Sequence, residues 1–283
     1  MGTKNVPTLQ LRRAAPLHLP LTRMKGNQTM KLRVLGCSGG IGGNLHTTSF
    51  LLDHDVLIDA GTGVGELSLT ELSMIDHVFV THAHLDHIAS IPFMVDSAGF
   101  MRDRPLTVYA GKETLDILRK HIFNWQIWPD FSGIPNDRQP FLRYQPLELG
   151  ESIVLDGRRI TPVPANHTVP AVGYHLDSGA ASLVFSGDTT IQDALWEAVN
   201  KISNLRYLII ETAFSDGERE LAVLSKHLCP AMLADELKKL RGDAEVFITH
   251  LKPGEVELTM QQIESSVAGR SPKMLLNNQE FKF

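Results

Sequence analysis

Thr81-His82-Ala83-His84-Leu85-Asp86-His87 follows directly on the apolar run Val78-Phe79-Val80, and its last six residues carry four side chains able to hold metal ions. Histidine nitrogen and aspartate oxygen suit zinc, manganese or iron. If the segment is extended, the alternation His82, His84, Asp86 points three side chains to one side. His87 adjoins Asp86, so a turn of the backbone lets that pair face a second centre. The cluster predicts two metals a short distance apart, at the end of a buried strand.

The same ending recurs along the chain. Leu183-Val184-Phe185-Ser186-Gly187 runs into Asp188, Leu208-Ile209-Ile210 into Glu211, and Val246-Phe247-Ile248-Thr249 into His250. Near-continuous apolar strands are those buried on both faces, and layered α/β proteins build their sites just past strand ends. These strand ends are expected to converge on one site. Helical patterns lie between the strands, at Thr114–Lys120, Ala194–Val199 and Cys229–Leu240, the last with Pro230 acceptable in a first turn. Lys31–Leu35 reads as the first strand, and Ser49–Asp53 with Val56–Gly61 as a hairpin around His54-Asp55.

Three segments carry weaker signals. The loop Ser38-Gly39-Gly40-Ile41-Gly42-Gly43 allows close backbone approach to a ligand, as a phosphate cradle or only as a turn. His46 beside it is held open as a phosphate contact, and Asp59 as a residue that orients a histidine or a loop. The aromatic segment from His121 to Phe131 is either a core anchor or a wall on which a base stacks.

Composition sets the outer bounds. Hydrophobic residues make up 43% and charged residues 21% of 283 residues, an ordinary globular balance. Without an apolar run approaching the roughly 18 residues a membrane span needs, no membrane insertion is expected. Cys37 and Cys229 stand outside any Cys-x-x-Cys spacing, which fits a reducing cytoplasmic compartment. The formal charge of −5 argues against a broad nucleic-acid footprint, so metals rather than basic residues are expected to meet an anionic substrate. Residues 1–29 hold five Lys and Arg and no Asp or Glu. They are read as a disordered tail before one hydrolase domain at 30–283, and an over-long start is an alternative. A homodimer is left open.

His82-x-His84-x-Asp86-His87, then His167, Asp188 and His250 in that order, resembles the five-part pattern of the metallo-β-lactamase superfamily over roughly residues 30–283. Within it, Thr81–His87, Phe123-Asn124, Ile127-Trp128-Pro129, Asn166–Pro170 and Ser225-Lys226-His227-Leu228 resemble class II cyclic-nucleotide phosphodiesterases. Short tRNA 3′-end nucleases look like near relatives. The resemblance implies a four-layer αββα sandwich, with His82, His84 and His167 on one metal and Asp86, His87 and His250 on the other. Asp188 then bridges, and Glu211 and His227 match positions that assist the chemistry.

The chemistry agrees with that pattern. Paired divalent ions, zinc first with manganese or iron as alternatives, activate water and neutralise charge on a phosphoryl group. An alkoxide leaving group is a strong base and needs a proton, which a histidine supplies near neutral pH. Asp86, Glu211 and His227 are accordingly the expected catalytic residues. The leading expectation is hydrolysis of a small cyclic nucleotide such as 3′,5′-cyclic AMP, with no large nucleic acid as partner. The alternatives are a tRNA 3′-end nuclease, a thioester or lactam hydrolase on the same core, and a binding module without turnover.

Overall fold

Strands that are apolar on both faces need cover on both sides, and the chain supplies it twice. The computed structural model describes residues 29–283 and holds two seven-stranded sheets packed face to face. The first contains β1 (Lys31–Gly36), β2 (Ser49–Leu52), β3 (Val56–Ile58), β4 (His77–Phe79), β5 (Leu106–Ala110), β6 (Leu142–Pro146) and, returning at its edge, β14 (Glu280–Lys282). The second contains β7 (Ile153–Leu155), β8 (Arg158–Pro164), β9 (Val172–Asp177), β10 (Ser182–Phe185), β11 (Leu205–Glu211), β12 (Glu245–Thr249) and β13 (Lys273–Met274). Of the expected tail, all but Thr29 lies outside the described residues.

The period-2 alternation sorts each strand's side chains between two apolar layers. In β2 and β3, Phe50, Leu52, Val56 and Ile58 point between the sheets, whereas Leu51 and Leu57 point outward. In β11 and β12, Ile209 and Phe247 point between the sheets, while Leu208, Ile210, Val246 and Ile248 point outward. Phe50 meets Phe185 edge to face across the gap at 4.9 Å. Helices close both outer layers. Those on the first sheet are α1 (Leu69–Met74), α2 (Leu85–Ile88), α3 (Ser90–Ala98) and α4 (Lys112–His121). On the second lie α5 (Ala194–Val199), α6 (Arg219–Ser225), α7 (Pro230–Leu237) and α8 (Val256–Ser266). The four layers are the expected αββα sandwich.

Two local readings change. Asp86 does not continue the extended run: His84 is the last extended residue, and Asp86 sits in the single turn of α2. It therefore turns away from the line of His82 and His84. The helix expected to run from Cys229 to Leu240 begins at Pro230 and stops at Leu237, short of the Lys238-Lys239 pair.

One ion pair ties the two sheets together. Arg158, on β8, reaches the β2–β3 turn, where its guanidinium donates to both carboxylate oxygens of Asp55, one of them at 2.8 Å. Both residues are buried. Burial alone would push the Asp55 carboxyl up, but the adjacent guanidinium holds it below the usual carboxylate range. Replacing Arg158 by Leu strands that carboxylate and is expected to cost about 3–5 kcal/mol in urea unfolding at neutral pH. A depressed carboxyl stabilises above its unfolded value of about 3.9 and loses that contribution as pH falls through its folded value. The deficit of the Leu variant should therefore shrink below about pH 4.

Candidate metal centre

Every strand end singled out in the sequence arrives at one end of the sandwich. β4 leads through Val80 and Thr81 to His82; β8 to His167; β10 to Asp188; β11 ends on Glu211; β12 leads to His250. His82, His87, His167, Asp188 and His250 are buried, while His84 and Asp86 are half-buried at the mouth.

The side chains fall into two main groups, and His227 also brings a donor atom within 4.8 Å of His167 and Asp188. His82, His84 and His167 bring one donor atom each within 4.8 Å of one another, and so do Asp86, His87, Asp188 and His250. Asp188 sits between them: its Oδ2 lies 3.7 Å from His82 Nε2 and 3.3 Å from His87 Nε2.

Hydrogen bonds behind the rings set their direction. Asp59, at the end of β3 with φ 56°, accepts from Thr81 N–H at 2.7 Å and Thr81 Oγ1 at 2.8 Å. It also takes His87 Nδ1–H at 2.7 Å. Because Thr81 Oγ1 donates to Asp59, it accepts from His82 Nδ1–H at 3.0 Å. His167 Nδ1–H donates to the Lys226 carbonyl at 3.1 Å. With Nδ1–H engaged in each, all three imidazoles turn Nε2 toward the site, the nitrogen through which a metal would be held.

Four buried polar atoms at this point have no hydrogen-bond partner: His82 Nε2, His87 Nε2, His250 Nδ1 and Asp188 Oδ1. Buried polar atoms are normally paired, so a converging set of nitrogen and carboxylate donors fits a divalent cation. The protonation states point the same way. Burial presses His167 down to about 4 and His250 down to about 3, leaving neutral rings. Burial opposes ionisation of Asp188, yet His250 and His87 hold its carboxyl well below the usual range. His87 is the exception: burial resists its charge, but Asp188 and Asp59 raise it, so a cation bound there must displace its proton.

Glu211 and His227 complete the site. Glu211 is fully buried and accepts from His227 Nδ1–H at 2.8 Å and from Thr189 N–H at 3.0 Å. His227 stacks on His250 at 5.1 Å and meets His167 edge to face at 4.9 Å. Burial disfavours the imidazolium, but the carboxylate prevails and raises His227 above its ordinary value.

Glycine makes room for this arrangement at two points. A Cβ on Gly61 would stand 2.2 Å from the Asp86 carbonyl oxygen, and one on Gly39 would stand 2.4 Å from that of His250. The glycine loop thus serves close packing behind His250. Gly61→Ala is expected to displace α2 and, since misplacement by about 1 Å can cost 10²-fold, to lower kcat strongly while KM changes less.

The weaker signals resolve differently. His46 pairs with Glu66 at 3.2 Å and joins none of the donor groups. In the aromatic segment Phe123 and Phe131 are core residues and Trp128 packs edge-on against Phe93, which leaves Trp125 exposed. Asp55, Asp76 and His77 also gather donor atoms, but Arg158, Arg102 and Arg104 already engage both carboxylates. Sequence reasoning missed Thr81 and Lys226 as supports; their only signal was a place beside His82 and His227 within the motifs that carry the resemblance.

Comparison with known proteins bears on the fold and the family. A probable 3′,5′-cyclic-nucleotide phosphodiesterase of Yersinia pestis is 29% identical over 203 residues, 63% of this chain. The alignment spans only 57% of that relative's length. Unliganded yeast PDE1 superposes with a TM-score of 0.74 at 19% identity, covering 89% of this chain and 99% of that one. Human tRNase Z, short form, superposes at 0.63 and 15% identity, covering 89% and 98%. Among the described residues, no helix is long and apolar enough to cross a membrane. The profile of the beta-lactamase superfamily domain matches residues 54–264, well over half of the chain, and the protein belongs to that superfamily, as a hydrolase of the metallo-β-lactamase fold.

Proposed function

We propose that residues 30–283 form one hydrolase domain that cleaves a phosphodiester in a small cyclic nucleotide such as 3′,5′-cyclic AMP, with the relatives named above as support. His82, His84 and His167 hold one divalent ion, Asp86, His87 and His250 a second, and Asp188 lies between them; zinc suits this donor set, as do manganese and iron. Such ions supply Lewis acidity to a phosphoryl group and acidify water.

The observation that carries the substrate class is the Glu211–His227 pair at 2.8 Å, set against both donor groups. Glu211 holds His227 Nδ1–H, which fixes the ring and leaves Nε2 to deliver a proton to the departing oxygen. An alkoxide needs that proton; a thiolate or a lactam nitrogen held by a cation needs it less. The half-buried His84 and Asp86 leave the mouth open to substrate while the remaining donors stay dry.

The test is a panel of 3′,5′-cyclic nucleotides, linear nitrophenyl phosphodiesters, a precursor tRNA, a thioester and a lactam, with metal analysis on the same preparation. Cyclic nucleotides are expected to give the highest kcat/KM, and a chelator should abolish it until metal is restored. Faster cleavage of precursor tRNA would replace this reading with the nuclease one.

A further inference from the structure

Lys226 stands where α6 ends in a left-handed turn. Its φ of 54° and ψ of 51° place it in the region glycine favours. Its N–H and that of His227 return to the carbonyls of Val223 and Ala222, at 3.3 and 2.8 Å. This is a Schellman ending, in which a residue with a side chain is strained. Such strain persists where the surroundings over-determine it, often at a functional site.

Here the surroundings are the loop that carries His167. The Lys226 ammonium donates to Asn166 Oδ1 at 3.2 Å and to the His167 carbonyl at 3.1 Å. The Lys226 carbonyl accepts His167 Nδ1–H at 3.1 Å. One residue thus grips the His167 backbone and its ring, and its chain neighbour is His227. The His227 carbonyl is tied in turn to Thr190 Oγ1 at 3.2 Å, two residues past Asp188.

We propose that Lys226 is a positioning residue that locks the His167 and His227 imidazoles at one fixed offset, so that a metal ligand and a proton donor face the same space. The roles of those two histidines rest on the proposed function; the coupling rests on the bonds above. The carbonyl sets the His167 tautomer, and the ammonium keeps the loop from drifting off α6. Thermal drift of that loop would loosen the first donor group and move His227 from the leaving oxygen together.

The test compares Lys226→Met, which removes the ammonium but keeps a long apolar stem, with Lys226→Arg, which keeps donors and charge. Lys226→Gly removes the ammonium and relieves the strain, which guards against a folding defect. Metal affinity is read by chelator competition on the full chain, beside kcat and KM on the best phosphodiester and the melting midpoint of metal-stripped protein. Lys226→Met and Lys226→Gly are expected to bind one metal equivalent about 10–100-fold more weakly. Their kcat should fall by a similar factor with KM within about threefold, while the metal-stripped midpoint holds and Lys226→Arg recovers most of both. Unchanged affinity and kcat in the Met and Gly variants overturn the proposal, as does an Arg variant as impaired as they are. A wild type that binds metal but cleaves no phosphodiester sinks the proposed function, and the affinity comparison still decides Lys226.

Discussion

Replacing Asp86 by Ala is expected to lower turnover by more than about 100-fold, beyond the 10–100-fold usual for residues that only support ligands. The chain should still fold. The Asp86 side chain is 28% exposed and only approaches His87 and His250, at 3.8 and 3.7 Å, so its loss opens no hole in the core. What disappears is one of the two carboxylates in the second donor group, leaving two histidines and Asp188 to neutralise a divalent charge. Metal content should drop toward one equivalent while circular dichroism and cooperative melting persist. A variant that keeps activity within a few-fold would show that this group is not used in turnover, whereas loss of turnover with an unchanged biological effect would revive the reading of a non-catalytic module.

His227→Ala is expected to have the second-largest effect, and one that depends on the leaving group. A positioned general acid contributes roughly 10²–10⁴-fold, so cleavage of a cyclic nucleotide should slow by that range. A nitrophenyl phosphodiester releases an anion that is stable without a proton, and its rate should fall far less. Metal affinity should be nearly unchanged. Glu211→Gln should produce the same pattern in weaker form, since the ring keeps its place but loses the charge that favours its protonated state. Equal losses on both substrates would remove His227 from proton delivery and leave it a packing residue between His167 and His250.

The fold was legible in the sequence to the extent that burial dictates side-chain type. The runs ending at Asp188, Glu211 and His250 could be apolar on both faces only if covered on both sides, and the sheets have that cover. The gathering at the strand ends followed from the same argument, while the likeness to phosphodiesterases rested on the motifs around His82, His167 and His227, and relatives so named were found. The path of Asp86 did not follow, because the choice between an extended run and a helical turn after His84 depends on Gly61 making room for the Asp86 carbonyl. Lys226 was hidden for a related reason. Its partners lie 59 and 60 residues away, and no local pattern marks a lysine held left-handed by a distant loop.

The donor set is split across the sandwich: His82, His84, Asp86 and His87 come from the first sheet and its helix, and His167, Asp188 and His250 from the second. Any ion shared by such a set is a fastener between the halves. Sliding the layers apart would mean giving up the ion, so each tenfold excess of free metal over its dissociation constant adds about 1.4 kcal/mol against that motion. The Arg158–Asp55 bond is a second fastener that needs no metal. Starved of metal, the protein should therefore breathe at the rim that carries the donor set while staying shut at the Arg158 clamp, a gradient that hydrogen exchange along β4 and β10 would record.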